Sequence, residues 1–202
     1  KDVVNTAAIS IIITSILFAS LFSIFKLNIS ELTGISTGYL SIVVWILVVD
    51  ALTVIPFAYL RLKGSAFKYS TVKIINVLVY FSLNIFLLIF LKDLAETYEF
   101  LNRIYIKNYE VAYIFIANLI ASIVSLFLLI PFYFKVNYRA NIKLLKRMLA
   151  YGFPILISGL AFTINETFDK ILLDFLLPTA SAKTQIGMYS ACYKLAIFMT
   201  LF

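Results

Sequence analysis

Polar and charged side chains interrupt a stretch of the sequence that is otherwise apolar enough to cross a membrane. This stretch, GFPILISGLAFTINETFDKILLDFLLP at 152–178, carries Asn165, Glu166 and Asp169 in its second half. In a helix that enters the membrane at Pro154, Asn165 and Glu166 lie about 17 Å along the axis. An earlier end of the span would bring Asp169 to the membrane surface, but Asn165 and Glu166 are too deep for that. Their side chains must therefore contact other helices or water.

Two more charged residues lie inside apolar segments. Asp50 is near the middle of the segment 39–60, where a carboxylate costs about 3 kcal/mol. It is therefore protonated, paired with a cation or exposed to water. A structural bond to a neighbouring helix and a place in a substrate or ion pathway are both open interpretations. Lys194 is followed by eight further residues of an apolar segment, so extension of its side chain to the membrane surface explains it poorly.

The composition is that of a membrane protein. Of the 202 residues, 63% are hydrophobic and 13% are charged, and the mean hydropathy is +1.02, whereas soluble domains carry about 25% charged residues. A helix needs about 20 apolar residues to cross a bilayer core about 30 Å thick. We predict an all-α, polytopic transmembrane helix bundle with spans at 3–25, 39–60, 74–91, 111–134 and 153–177, and a sixth that begins near 187.

Basic residues are unevenly distributed among the loops. Residues 61–73 and 135–147 carry basic but no acidic side chains, whereas 92–110 carries both. By the positive-inside rule the first two loops are predicted to be cytoplasmic and the third to lie outside. Within the segment 141–152, basic and apolar residues form separate helix faces. This pattern predicts an interfacial helix that anchors at the headgroups or connects two helix bundles.

Several classes of function are excluded or disfavoured by composition. The chain has no histidine and a single cysteine, Cys192, which excludes a histidine catalytic or metal site, an internal disulfide and a cysteine metal cluster. The loops are too short to hold a soluble catalytic domain. The net charge is +7. The basic residues lie at helix ends, where anionic lipid headgroups are the nearest partners. We expect a lipid-embedded protein that is not an enzyme, uses no cofactor and does not bind nucleic acid.

Two segments resemble bacterial polysaccharide flippases, which belong to the superfamily of multidrug, oligosaccharidyl-lipid and polysaccharide exporters. IPFAYLRLKGSAFKYSTVKIIN at 55–76 resembles the junction of that family's fourth and fifth helices. The stretch 152–178 with IGMYSACYKLAIF at 186–198 is similar to its seventh and eighth helices. In those helices of the family, an aspartate and a basic residue precede a Gly-x-Tyr-Ser pattern and a Tyr-Lys pattern. In this sequence the aspartate and the basic residue are Asp169 and Lys170.

The resemblance implies an architecture of two lobes and 12 to 14 helices. The sequence begins with Lys1 and not with Met, and we expect an internal fragment that holds about helices three to eight. Residues 1–136 would form the last four helices of the N-terminal lobe. Residues 137–202 would form the amphipathic connector and the first two helices of the C-terminal lobe. PTASAKTQ at 178–185 is expected to be an outer turn longer than the family's.

The function implied is to move a polyprenyl-pyrophosphate-linked oligosaccharide from the cytoplasmic to the outer leaflet of the cell inner membrane. Such lipids supply lipopolysaccharide O-antigen and other surface polysaccharides. Lys194 is expected to contact the diphosphate, and Asn165, Glu166, Asp169 and Asp50 are expected to bind sugars or a coupling ion, Na⁺ or H⁺. The alternatives are a multidrug or cation exporter of the same superfamily, a membrane-embedded glycan polymerase or ligase, and a scaffold.

Overall fold

The protein is helical throughout the part of the chain that the structure describes. This structure, a computed structural model, describes residues 2–91, 109–137, 139–177 and 179–197, without the side chains of 110, 166, 179–183 and 194–197. No strand occurs in these ranges, which confirms the predicted all-α class. The helices are α1 (Asp2–Thr33), α2 (Thr37–Leu62), α3 (Ala66–Ile85, continued by a π-helical turn at Phe86–Phe90), α4 (Glu110–Tyr133), α5 (Ile142–Leu176) and α6 (Thr179–Ile197).

Among the described residues, five helices are long and apolar enough to cross a membrane: Asp2–Thr33, Thr37–Leu62, Ala66–Phe90, Val111–Tyr133 and Ile142–Leu176. The predicted spans at 3–25 and 39–60 lie within the first two helices, and those at 74–91, 111–134 and 153–177 end one residue past the other three. Large apolar side chains on them face outward; Ile24 and Phe127 are each 72% exposed. Surfaces of this kind are stable in contact with lipid tails and unstable in water. The chain is therefore a multi-pass membrane protein. The sixth predicted span continues past Ile197, outside the described residues, and stays a prediction.

The turn between α2 and α3 explains where α2 ends. Gly64 has a φ of 68°, a left-handed conformation that favours glycine. Its N–H donates to the carbonyl of Arg61 at 3.0 Å, and the N–H of Ser65 donates to that of Leu60 at 3.0 Å. This pair of hydrogen bonds is the Schellman arrangement that ends helices. Arg61 therefore lies inside a regular helix and not in a loop.

The segment 142–176 forms one helix, where the sequence predicted an interfacial helix followed by a separate span. Pro154 lies inside α5 without ending it. At 1.5 Å per residue, the 35 residues of α5 extend about 52 Å, well beyond the hydrocarbon core of about 30 Å. The basic residues of the first turns therefore lie outside the hydrocarbon even though the helix is continuous.

The prediction of an extended outer turn at 178–185 is wrong for 179–185. These residues are the first two turns of α6, which begins at Thr179. Alanine, lysine and glutamine make up most of this stretch and have high helix propensity. The polar residues of this stretch favour a position outside the membrane core, but they do not prevent a helix from forming.

Two compact units make up the chain, Lys1–Leu145 and Lys146–Phe202. In the first unit α2 packs against α1, α3 and α4, and α3 also packs against α4. Ala117 and Ala121 on α4 are fully buried, which is typical of close helix contacts in membranes. Thr6 of α1 is also buried and accepts a hydrogen bond from the N–H of Asn141 at 3.3 Å. The assignment of residues 1–136 and 137–202 to two lobes stays a prediction.

Candidate functional site

A polar cavity of about 360 Å³ lies between α2, α3 and α4 in the first unit. Each helix contributes one face to it, because the lining residues recur at intervals of three or four. The cavity contains one acidic and two basic side chains, together with amide and hydroxyl groups. Its lining consists of Asp50, Thr53, Val54, Phe57 and Arg61 from α2, Lys73 and Asn76 from α3, and Asn118, Ser122 and Ser125 from α4.

Hydrogen bonds join the α3 and α4 walls of this polar cavity. The side-chain amide of Asn76 donates to the hydroxyl of Ser125 at 2.9 Å, and that hydroxyl donates to the carbonyl of Ala121 at 3.1 Å. Ser122 and Ser125 are each 3% exposed, whereas Asn76 and Asn118 are half-buried. Asn76 and Ser125 therefore line the cavity and also join two packed helices.

The two basic side chains of the cavity lie against aromatic rings. The Lys73 ammonium is 4.6 Å from the centre of the Phe57 ring, and the Arg61 guanidinium is 5.1 Å from that of Tyr69. Such contacts are attractive because the face of an aromatic ring carries negative charge. They orient the cations while leaving their N–H groups available to a ligand.

Positive and negative charge are separated along the polar cavity. From Asp50 to Phe57, beside which Lys73 lies, the rise along α2 is about 10 Å, and from Asp50 to Arg61 it is about 17 Å. The cations therefore lie toward the end of α2, whereas Asp50 lies near its middle. The Asp50 side chain is exposed. This arrangement places two cationic side chains at one end of the cavity and a carboxylate at the other.

Asp50 is thus the predicted site residue that the structure places in this cavity. Asn165 and Asp169 belong to the second unit. There the Asn165 side chain is exposed, and Asp169 accepts a hydrogen bond from the Tyr189 hydroxyl at 2.9 Å. Lys170, which follows Asp169, has its ammonium 5.4 Å from the centre of the Tyr193 ring. The Asp-basic segment of the predicted motif therefore contacts the Gly-x-Tyr-Ser segment through Tyr189 and the Tyr-Lys segment through Tyr193.

The backbones of Glu166 and Lys194 are helical. Their side chains lie outside the described part of the structure, and the roles predicted for them stay predictions.

Arg61 and Lys73 were not predicted to be cavity residues. Both were assigned to a basic loop, because positive charge beside an apolar span normally marks the cytoplasmic side. Their spacing in the sequence also relates them to polar residues of the spans. Arg61 lies eleven residues after Asp50, and Lys73 lies three residues before Asn76. Both intervals place the residues on one helix face. Helical continuation of α2 and α3 past the apolar residues is what turns these cations toward the cavity.

Among the described residues, no group of three or more histidine, cysteine, aspartate or glutamate side chains is placed to hold a metal ion. Comparison of the chain with models of protein families, with characterised proteins and with solved structures gave no match. The chemistry available in the polar cavity is hydrogen bonding and ion binding. Arg61 and Lys73 can bind an anion, Asn118 can bind hydroxyl groups, and Asp50 can bind a cation or a proton.

Proposed function

We propose that this chain is part of a multi-pass transporter that moves a polyprenyl-pyrophosphate-linked oligosaccharide from the cytoplasmic to the outer leaflet of the cell inner membrane. The polar cavity is the observation that carries the proposal. A diphosphate and a glycan cannot cross hydrocarbon unaided, so a transporter must offer them charge and hydrogen bonds within the membrane. The resemblance of 55–76, 152–178 and 186–198 to polysaccharide flippases supports the same function.

In this mechanism Arg61 and Lys73 hold the diphosphate. The guanidinium offers paired N–H donors that match phosphate oxygens, and the ammonium acts as a point charge. Both lie toward the end of α2 that the loop charges place on the cytoplasmic side, where a substrate made in the cytoplasm would enter. Asn76 and Asn118 lie deeper and can exchange hydrogen bonds with sugar hydroxyls. In the second unit, a diphosphate contact of Lys194 stays part of the proposal.

The size of the cavity limits how much substrate it can accept. A volume of about 360 Å³ falls at the lower end of the roughly 300–1,000 Å³ typical of ligand sites. It can hold a diphosphate or a sugar ring, but not an entire lipid-linked oligosaccharide. The remaining sugars and the polyprenyl chain would lie outside this cavity, the chain in lipid. Within the second unit, Asn165, Glu166 and Asp169 are proposed to contact sugars or an ion.

Asp50 is suited to the coupling ion, Na⁺ or H⁺. It is the acidic residue of the described cavity lining, and its place near the middle of α2 puts it deep in the membrane. Asp50 also favours the second candidate function, a multidrug or cation exporter, because a carboxylate there attracts a cationic substrate. The nearby positive charges of Arg61 and Lys73 favour an anionic substrate instead.

The test is flipping of a fluorescent lipid-linked oligosaccharide by the purified protein in liposomes. The double variant Arg61→Gln/Lys73→Gln should flip it at least about tenfold more slowly, since two charge-assisted bonds to the diphosphate are lost. Lys143→Gln/Arg147→Gln removes the same charge from exposed positions on α5 and should flip it at close to the unchanged rate. Full activity of the first double variant at normal membrane abundance would refute the proposed role of the cavity. Transport of organic cations that requires Asp50, without glycan flipping, would establish the exporter.

A further inference from the structure

A second cavity, here called the basic groove, lies where α2 and α4 end and α3 begins. It has a volume of about 420 Å³. Three lysines line it, Lys63 after the end of α2, Lys68 in the first turn of α3 and Lys135 just past the end of α4. No acidic residue is among the described residues that line it. The basic groove therefore has a strongly positive potential.

The start of α3 adds to this potential. Ser65 is the residue that precedes the helix, and its side chain makes no capping hydrogen bond. The first hydrogen bond there is from the N–H of Tyr69 to the carbonyl of Ser65, at 3.1 Å. The N–H groups of the preceding turn lie at the positive end of the helix dipole and are suited to an anionic oxygen. Lys63 is oriented by the Tyr59 ring, whose centre lies 5.6 Å from its ammonium.

Apolar side chains form the rest of the groove. Ile75 of α3 and Leu128 and Phe132 of α4 line it on the side that leads into the membrane-spanning part of the bundle. Leu128 is 41% exposed and so faces the exterior of the unit. The groove thus combines a cationic end with an apolar wall. An amphiphile with an anionic head and a hydrocarbon tail fits both parts.

The basic groove is separate from the polar cavity. Phe57, Val72 and Leu129 form a buried hydrophobic cluster. Phe57 lines the polar cavity, whereas Val72 and Leu129 line the basic groove. A ligand in the groove would therefore be divided from the transport cavity by packed side chains, and its binding does not depend on the function proposed above.

We propose that the basic groove binds an anionic glycerophospholipid of the surrounding bilayer. The phosphate would be bound by Lys63, Lys68 and Lys135 at the start of α3, and an acyl chain would lie along Ile75, Leu128 and Phe132. Lipid is the occupant that the charge and the position favour, because the groove lies at the end of membrane-spanning helices and its wall continues into the apolar region. Basic pockets at such positions bind acidic headgroups in other membrane proteins.

Native mass spectrometry of the purified protein with added phosphatidylglycerol or phosphatidylcholine tests this proposal. The unaltered protein should bind phosphatidylglycerol at least about tenfold more tightly than phosphatidylcholine. The triple variant Lys63→Gln/Lys68→Gln/Lys135→Gln should lose most of that preference, because each lysine near a headgroup contributes roughly fivefold. The corresponding triple arginine variant retains the charge and should retain the preference. An unchanged preference in a folded glutamine triple would overturn the proposal.

The matched control is Lys143→Gln/Lys146→Gln/Arg147→Gln, which removes the same charge from exposed positions of α5. It should change the affinity for phosphatidylglycerol less than about twofold. Equal losses in the two triple variants would mean that general surface charge binds the lipid and would reject a specific site. The affinity for inorganic phosphate is measured as a second comparison. If it binds as tightly as phosphatidylglycerol, the apolar wall contributes nothing and the lipid assignment fails.

Discussion

The hydrogen bond from Asn76 to Ser125 joins α3 to α4 at the wall of the polar cavity, and its contribution to stability can be measured. The donor and acceptor are 2.9 Å apart, and Ser125 is buried. Hydrogen bonds between membrane helices contribute about 0.6 kcal/mol on average and about 1.7 kcal/mol at most. Because Asn76 is half-buried and borders the cavity, water can replace the lost hydroxyl. We therefore expect a coupling free energy of about 0.6 kcal/mol, or roughly threefold in the unfolding equilibrium.

A double-mutant cycle isolates this value. The free energy of unfolding is measured in mixed micelles for Asn76→Ala, Ser125→Ala and the double variant. The control cycle pairs Ser125→Ala with Asn84→Ala, because the Asn84 side-chain amide donates to the carbonyl of Tyr80 in its own helix. That cycle should show no coupling beyond the additivity error of about 0.3 kcal/mol. Equal coupling in both cycles, or none in the first, would refute the inference that this bond holds α3 to α4.

Three further predictions concern the packing of α4, the charge of Lys194 and the topology of the loops. Ala117→Leu should lower the free energy of unfolding by roughly 1–3 kcal/mol, because α4 has no space for the larger side chain. Ile123→Leu at an exposed position of α4 should change it little, and similar losses at both sites would contradict the packing. Lys194→Arg should retain glycan export and Lys194→Gln should lose it at equal membrane abundance; normal export by Lys194→Gln would remove this residue from the mechanism. In a cysteine-free background, Ser65→Cys should react with an impermeant thiol reagent only from the cytoplasm and Thr97→Cys only from outside, and the reverse pattern would invert the topology.

Helical class and membrane spans were predictable because both depend on local composition. An apolar run of about 20 residues has few stable alternatives to a helix in lipid. The helix ends were less predictable, since they depend on hydrogen bonding at particular residues. The third span was predicted from Ile74, whereas α3 begins at Ala66. The basic residues of its first turns are excluded from hydrocarbon, but they do not prevent a helix.

The polar cavity was predictable only in part. Asp50 drew attention because its charge conflicts with its apolar surroundings. Which helices face one another is decided by packing between distant segments, and the local pattern does not contain this information. Arg61 and Lys73 were consequently interpreted as markers of topology. Within the second unit, Asp169 contacts Tyr189. The predicted motif gave only the order of their two segments along the sequence, not this contact.

The Gly64 turn has a consequence for regulation by the membrane. Arg61 lines the polar cavity and Lys63 lines the basic groove, and the Schellman hydrogen bonds fix the backbone between them. A displacement of this turn therefore moves both cations together. If a ligand at one site displaces this turn, the affinities of the two sites are linked, and each ligand then alters the affinity for the other by the same factor. The acidic lipid content of the cytoplasmic leaflet would then act as an allosteric effector of substrate loading.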